Sequence, residues 1–130
     1  MLRRYILLLL PFLFLLMAAR QAPLINPDPI AVPSKVKQEQ VARAIKTALV
    51  KRTWTVTDEK PGQIQASLSV RDHVARIRID YDKTIRITYV NSQNLAFEEK
   101  KGQTYIHKNY LGWINNLVSD INGNLILLSD

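Results

Sequence analysis

The sequence predicts an α+β domain with the order α-β-β-β-β-α, in which a four-stranded antiparallel meander carries two helices on one face. Three observations predict it. Apolar residues recur at helical spacing before residue 52 and again after residue 107. Between these segments, four stretches alternate apolar and polar residues, as in an antiparallel sheet with one buried and one solvated face. Both helices need an apolar surface, and the sheet offers one such face.

The first helix is predicted from Ser34, a residue type favoured at N-caps, to about Arg52. Lys51 and Arg52 stand in the last predicted turn, where the helix dipole favours cations. The apolar face predicted to enter the core consists of Val41, Ile45, Ala48 and Leu49.

The four strands are predicted from residues that alternate between the two faces of a sheet. The inward positions are Trp54 and Val56; Ile64, Ala66, Leu68 and Val70; Ala75, Ile77, Ile79 and Tyr81; and Ile85, Ile87 and Tyr89. Short loops keep all of these side chains on one face, because a one-residue slip would turn a strand over. The expected pairs are Val56 with Ile64, Leu68 with Ala75, and Tyr81 with Ile85. This register places Trp54 beside Ala66 as a core anchor.

The chain after the fourth strand is predicted as an irregular polar loop over 91–103, followed by a helix from about His107 to Ile121. Gly123 is expected to end that helix, since glycine suits the residue after a C-cap. The apolar stripe of the helix consists of Tyr110, Ile114, Leu117, Val118 and Ile121.

The N-terminal region predicts export from a bacterial cell. Arg3 and Arg4 precede an apolar run of 15 residues, Tyr5 to Ala19, which as a helix would reach only about 22 Å and fall short of a bilayer core. Residues 1–19 are therefore predicted as a signal peptide or a short N-terminal anchor. Residues 20–33 contain four prolines and predict an extended linker. Residues 34–130 are the predicted single domain. It is expected either free in the periplasm or tethered to a membrane on the periplasmic side.

Composition limits the chemistry. The chain has 130 residues, a net charge of +7, no cysteine and two histidines. A disulfide framework, a thiolate metal site and a cysteine nucleophile are excluded, and no cofactor or metal site is expected. No nucleophile, phosphate-loop or metalloprotease motif occurs, so we expect a protein that is not an enzyme.

Three segments carry a resemblance to a known group of proteins. They are ALVKRTWTV, KPGQIQASLSVRDHVARIRIDYD and YIHKNYLGWINNL. The chain resembles, over roughly residues 40–122, a family of small exported lipoproteins of Gram-negative bacteria for which no activity is established. The resemblance implies a compact α/β domain in the cell envelope. The chain departs from the family pattern at the lipid-attachment cysteine, because Arg20 stands near the expected position.

The polar face of the predicted sheet is the first candidate site. Arg76, Arg78 and Arg86 all point to this face, and the register places Asp80 opposite Arg86. Arg76 and Arg78 then lie among uncharged neighbours, with Ser67 and Val90 flanking Arg76. Such arginines suit an anionic partner, either an envelope protein or an anionic envelope component. The face lacks the aromatic residues of a base-stacking platform, so no nucleic-acid partner is expected.

A cleft between the helices and the sheet is the alternative candidate. It would be lined by Trp54, Tyr89, Tyr110 and Trp113 and would make the chain a carrier of a small ligand. The two hypotheses predict different structures. A filled core with an open basic sheet face favours a binding domain, and an aromatic pocket favours a carrier. The sequence leaves the partner, the membrane and the oligomeric state open.

Overall fold

The computed structural model describes residues 20–129 and shows two helices and two antiparallel sheets. The predicted α+β class is confirmed. The predicted signal peptide or anchor, residues 1–19, lies outside the described residues. The helices are α1 (Gln38–Lys51) and α2 (Lys108–Ser129). The strands are β1 (Gln21–Pro23), β2 (Ile30–Ala31), β3 (Thr55–Lys60), β4 (Gln63–Val70), β5 (His73–Tyr81), β6 (Thr84–Gln93), β7 (Glu98–Lys100) and β8 (Gln103–His107).

The larger sheet has five strands, in the order β2-β6-β5-β4-β3, where four were predicted. Strands β3 to β6 are neighbours in chain order, and β2 adds the fifth strand beside β6. In β2, Ile30 pairs with Ile85 and keeps only 5% of its surface exposed. A two-residue strand shows no detectable alternation, so periodicity could not reveal it.

A second sheet of three strands, in the order β1-β8-β7, lies where an irregular loop was predicted over 91–103. That prediction is wrong for most of the segment, because β6 continues to Gln93 and β7 and β8 form a hairpin. β1 ends in a proline, which lacks the N–H needed within a sheet. Pro23 is tolerated there because β1 is an edge strand.

The segment 20–33 contains the short strands β1 and β2 and is hydrogen-bonded to the domain at several points. The Leu24 N–H donates to the Thr104 carbonyl over 2.9 Å, and the Val32 N–H donates to the Lys83 carbonyl over 3.0 Å. Between them, the Asn26 side-chain oxygen accepts the Tyr89 N–H over 3.0 Å. The predicted Pro-rich linker, residues 20–33, thus contributes a strand to each sheet, and we call it the strap.

The central pairings of the larger sheet agree with the predicted register. They are Leu68 with Ala75, and Tyr81 with Ile85. The first hairpin differs, because Val56 lies opposite Ala66 rather than Ile64. Strand β3 continues to Lys60, and Pro61 and Gly62 form the turn, with Gly62 at a φ of 82° that favours glycine. The shift of two residues leaves Val56 on its predicted face.

Both helices have the predicted apolar faces but different ends. α1 begins at Gln38 rather than after Ser34, and the Gln40 side chain accepts the Lys37 N–H over 2.9 Å at the new start. α2 continues through Gly123, which was predicted to end it. Leu125 extends the buried stripe of α2, and the Asn124 amide donates to the Ala44 carbonyl over 3.0 Å. These contacts offset the cost of about 1 kcal/mol for a glycine within a helix.

The buried side chains of the helices and of the larger sheet form one hydrophobic core. None of the described residues in that core is polar or charged. Within residues 20–129, neither helix is both long and apolar enough to cross a membrane.

Candidate functional site

Arg76, Arg78 and Arg86 project from the face of the larger sheet that is opposite the core. Arg76 and Arg78 flank the buried Ile77 on β5, and Arg86 lies between the buried Ile85 and Ile87 on β6. Alternation therefore sends all three guanidinium groups to one side. We call the side of the larger sheet that carries these three residues the arginine face.

Asp80 lies at the centre of the hydrogen bonds on the arginine face. Its Oδ2 accepts the Arg78 Nε–H over 2.9 Å, and its Oδ1 accepts the Gln63 amide over 2.9 Å. Burial alone would raise the pKa of Asp80, but the hydrogen bonds from Gln63 and Arg78 lower it below its usual value. Asp80 therefore stays ionised and keeps Arg78 in place.

The predicted ion pair of Asp80 with Arg86 is wrong, although the two residues are opposite each other as predicted. Arg78 takes the carboxylate instead, because both residues leave the same side of one strand. Gln63, which pairs with Asp80 from β4, holds the second oxygen. The register determines which residues are neighbours, while side-chain geometry determines which neighbour binds.

Arg76 has a different neighbour from the predicted one. A bulge in β6 leaves Val90 without a partner, so Arg76 lies opposite Asn91 and donates to its side-chain oxygen over 2.8 Å. The expected neighbour on the other side, Ser67, is present. Across the part of the chain that the structure describes, neither Arg76 nor Arg86 forms an ion pair with a carboxylate.

The four residues of the predicted cleft fall into two groups by their contacts. Trp54 and Trp113 line a cavity of about 190 Å³. Tyr89 and Tyr110 belong to an aromatic cluster, in which Tyr110 meets Tyr89 edge-on at 5.5 Å and Phe97 stacks on Tyr89 at 5.2 Å. Burial, and then the nearby Tyr89, raise the pKa of Tyr110, which stays a neutral phenol. Tyr89 and Tyr110 do not line the cavity beside Trp54 and Trp113.

An open groove of about 520 Å³ is a further cavity, which sequence reasoning did not identify. It lies between α1 and the end of β3 with its following turn, and an ion pair of 3.0 Å between Lys46 and Glu59 joins α1 to β3. Its walls carry both charge signs, including Glu39 and Arg43. This mixture favours no ligand class.

The two histidines come together at the junction of the two sheets, with ring centres 6.3 Å apart. His107 is the N-cap of α2, since its Nδ1 accepts the Asn109 N–H over 3.0 Å. The Nδ1 atom of His73 is hydrogen-bonded to the Asn94 carbonyl oxygen. No sequence signal predicts this contact, because it depends on how the sheets pack. Among residues 20–129, no group of three potential metal ligands occurs.

We expect acid to destabilise the domain through His107. Burial, then the nearby His73 and Arg20, lower the pKa of His107 in the folded protein. The unfolded chain, with a histidine pKa near 6.5, therefore binds more protons, and stability falls as pH decreases through that value towards the lower, folded pKa. Protonation also removes the N-cap acceptor, which contributes about 1 kcal/mol.

The variant His107→Asn keeps an N-cap acceptor and removes the titrating group. Urea unfolding between pH 7 and pH 5 should therefore show a smaller loss of unfolding free energy in His107→Asn than in the unmodified chain. Parallel pH profiles for the two proteins would contradict the assignment to His107.

The comparisons with known proteins identify no related family or protein. No protein-family model matches the chain, and no curated protein matches it.

Proposed function

We propose that the chain is a non-catalytic domain of the bacterial cell envelope that binds an envelope protein or an anionic envelope component through the arginine face. One observation carries this proposal. Arg76 and Arg86 share a solvated sheet face, and no carboxylate among residues 20–129 pairs with either of them. Unpaired guanidinium groups bind carboxylates and phosphates through charge-assisted, often bidentate hydrogen bonds.

The architecture supports the proposal. We place both helices on one face of the larger sheet, where their apolar residues share its core, and this leaves the arginine face open. Arg78 is paired with Asp80, and the two together add no net charge to this face. Because Arg86 lies opposite Asp80, four positions from Arg76 on β5, the Cα atoms of Arg76 and Arg86 lie roughly 13 Å apart along the strands. The partner should therefore carry more than one anionic group.

The location in the envelope depends on the segment 1–19 and on the family resemblance. In this proposal, residues 5–19 either direct export and are removed or remain as a membrane tether, and the domain faces the periplasm. The moderate positive charge of the chain favours anionic partners in either case.

The carrier hypothesis has less support. The cavity beside Trp54 and Trp113 measures about 190 Å³ and is not lined by Tyr89 or Tyr110. Pockets for typical small-molecule ligands measure about 300–1,000 Å³.

The test replaces Arg76 and Arg86. We expect Arg76→Thr with Arg86→Thr to weaken binding of the full chain to polyglutamate, an acidic polypeptide, or to phosphatidylglycerol vesicles. The expected loss is at least about tenfold, because a hydrogen bond to a charged group contributes roughly 1.5–3 kcal/mol. Binding of the unmodified chain should also fall with added salt. Weaker binding to polyglutamate would indicate that an acidic polypeptide supplies the anions, and weaker binding to the vesicles would indicate a lipid surface.

A matched control removes the same charge elsewhere. The control is Arg43→Gln with Lys108→Gln. Both residues are exposed, and they lie on the two helices. This control should retain most of the binding. An equal loss in the two double variants would show that net charge, and not the arginine face, attracts the anions.

A further inference from the structure

The arginine face carries uncharged polar side chains beside its charged groups. Across β4, β5 and β6, the strand pairing forms three adjacent rows, which are Ser67 with Arg76 and Asn91, Gln65 with Arg78 and Thr88, and Gln63 with Asp80 and Arg86. Every side chain in these rows is polar, and none is completely buried. Successive rows lie roughly 7 Å apart along β5, and neighbouring strands lie about 4.8 Å apart. The face is therefore a flat array of closely spaced hydrogen-bonding groups.

The neutral side chains in the middle of this array keep free hydrogen-bonding groups. The side chains of Gln65, Ser67 and Thr88 form no hydrogen bond with any of the described residues. Each of them can both donate and accept hydrogen bonds. Ser67 lies opposite Arg76 on the neighbouring strand, and Thr88 is two positions from Arg86 on β6. These neutral groups therefore lie beside and between Arg76 and Arg86.

The composition of the three rows separates the candidate classes of anion. A lipid surface is bound through apolar side chains that enter the acyl boundary, and a protein partner largely through tryptophan and tyrosine beside arginine. The rows offer neither an apolar nor an aromatic side chain, and the exposed Val90 lies outside them in the bulge of β6. A polysaccharide carries hydroxyl groups on its sugars, and hydroxyls both donate and accept. Neutral polar groups beside arginines thus match an acidic sugar better than a phospholipid or an acidic peptide.

We propose that the arginine face binds a carboxylated polysaccharide, a polymer of uronic acids. This inference rests on the proposed function and names its anionic component. The guanidinium groups of Arg76 and Arg86 each bind one carboxylate, and the hydroxyl groups of Ser67 and Thr88 bind sugar hydroxyls near them. The polymer carries a carboxylate on every ring, so two of its carboxylates match two arginines whose Cα atoms lie roughly 13 Å apart along the strands.

The test compares two polyanions that differ in their neutral groups. The probes are polygalacturonate and polyglutamate with a similar number of carboxylates, titrated calorimetrically with the full chain at one salt concentration. We expect tighter binding to polygalacturonate. Equal or tighter binding to polyglutamate would overturn the polysaccharide proposal and assign the face to an acidic polypeptide.

Esterified polygalacturonate separates the charge from the sugar, because it keeps the sugar hydroxyls and lacks the carboxylates. It should bind at least about tenfold more weakly than polygalacturonate, since hydrogen bonds to charged groups are lost. Equally tight binding of the esterified polymer would show that the carboxylates play no part, and would overturn the proposal.

The variant Ser67→Ala with Thr88→Val removes two hydroxyls and keeps every arginine. Its affinity for polygalacturonate should fall at least about fivefold, the effect of losing one hydrogen bond between neutral groups, while its affinity for polyglutamate should change by less than about twofold. The matched control, Thr47→Val with Ser119→Ala, removes two exposed hydroxyls from the helices and should leave both affinities unchanged.

The arginine variant and the hydroxyl variant distinguish failure of the polysaccharide proposal from failure of the proposed function. If Arg76→Thr with Arg86→Thr weakens polygalacturonate binding but Ser67→Ala with Thr88→Val does not, the face binds anions without recognising the sugar. An equal loss for both polymers in the hydroxyl variant would lead to the same conclusion. Unchanged binding of both polymers in the arginine variant would overturn the anion site and the polysaccharide together.

Discussion

A chain that begins at Ser34 should be less stable than one that begins at Arg20 by about 3–5 kcal/mol, which is a large part of the usual total for a domain. The deletion removes β1 and β2 and exposes the buried residues that they cover. Burial of one isoleucine side chain contributes about 1.5–3 kcal/mol, and each lost hydrogen bond about 0.5–1.5 kcal/mol, against the entropy of ordering the strap. Urea unfolding of the two chains measures the difference.

A pair of point variants separates the strap's contacts from its length. Ile30 is buried against the sheet, whereas Ile25 is 70% exposed in the same strap. In the chain that begins at Arg20, Ile30→Ala should cost about 2–5 kcal/mol. Ile25→Ala should change stability by less than about 0.5 kcal/mol. Equal stability of the two truncated chains would restore the simpler expectation from the sequence, that the domain folds without its first 33 residues.

Trp54→Ala should destabilise the domain by about 3–5 kcal/mol, the usual range for deleting a buried aromatic side chain. Trp54 follows α1, and its side chain is almost completely buried in the core. The loss should appear as a lower urea midpoint with an unchanged slope.

Trp113→Ala is the matched comparison, because Trp113 lines the same cavity but is only half-buried. It should cost clearly less than Trp54→Ala. A loss under about 1 kcal/mol in Trp54→Ala would contradict the position of Trp54 in the core.

The long, regular elements were predictable from the sequence because burial repeats along them. Ile64, Ala66 and Leu68 alternate with polar residues over eight positions of β4, and only a sheet with one buried face satisfies that pattern. β2 has two residues and β7 has three, too few for any period to appear. Their places depend on contacts with distant parts of the chain.

The candidate site was predictable as a face but not as a set of contacts. Alternation correctly sent Arg76, Arg78 and Arg86 to one side. Two carboxylate assignments were then possible, and the sequence does not determine a side-chain rotamer, so the pairing of Asp80 with Arg78 was missed. The bulge at Val90 was also hidden, because no proline or glycine marks it.

The strap has a consequence for how the domain would respond to tension. A pull on Arg20 would act first on β1, which has three residues, and then on β2, which has two. Both should detach before the long strands β4, β5 and β6 yield. The released segment, residues 20–33, would then lengthen to about 46 Å of extended chain. A domain held at its N-terminus would thus reach farther under tension while its helices and long strands stayed folded.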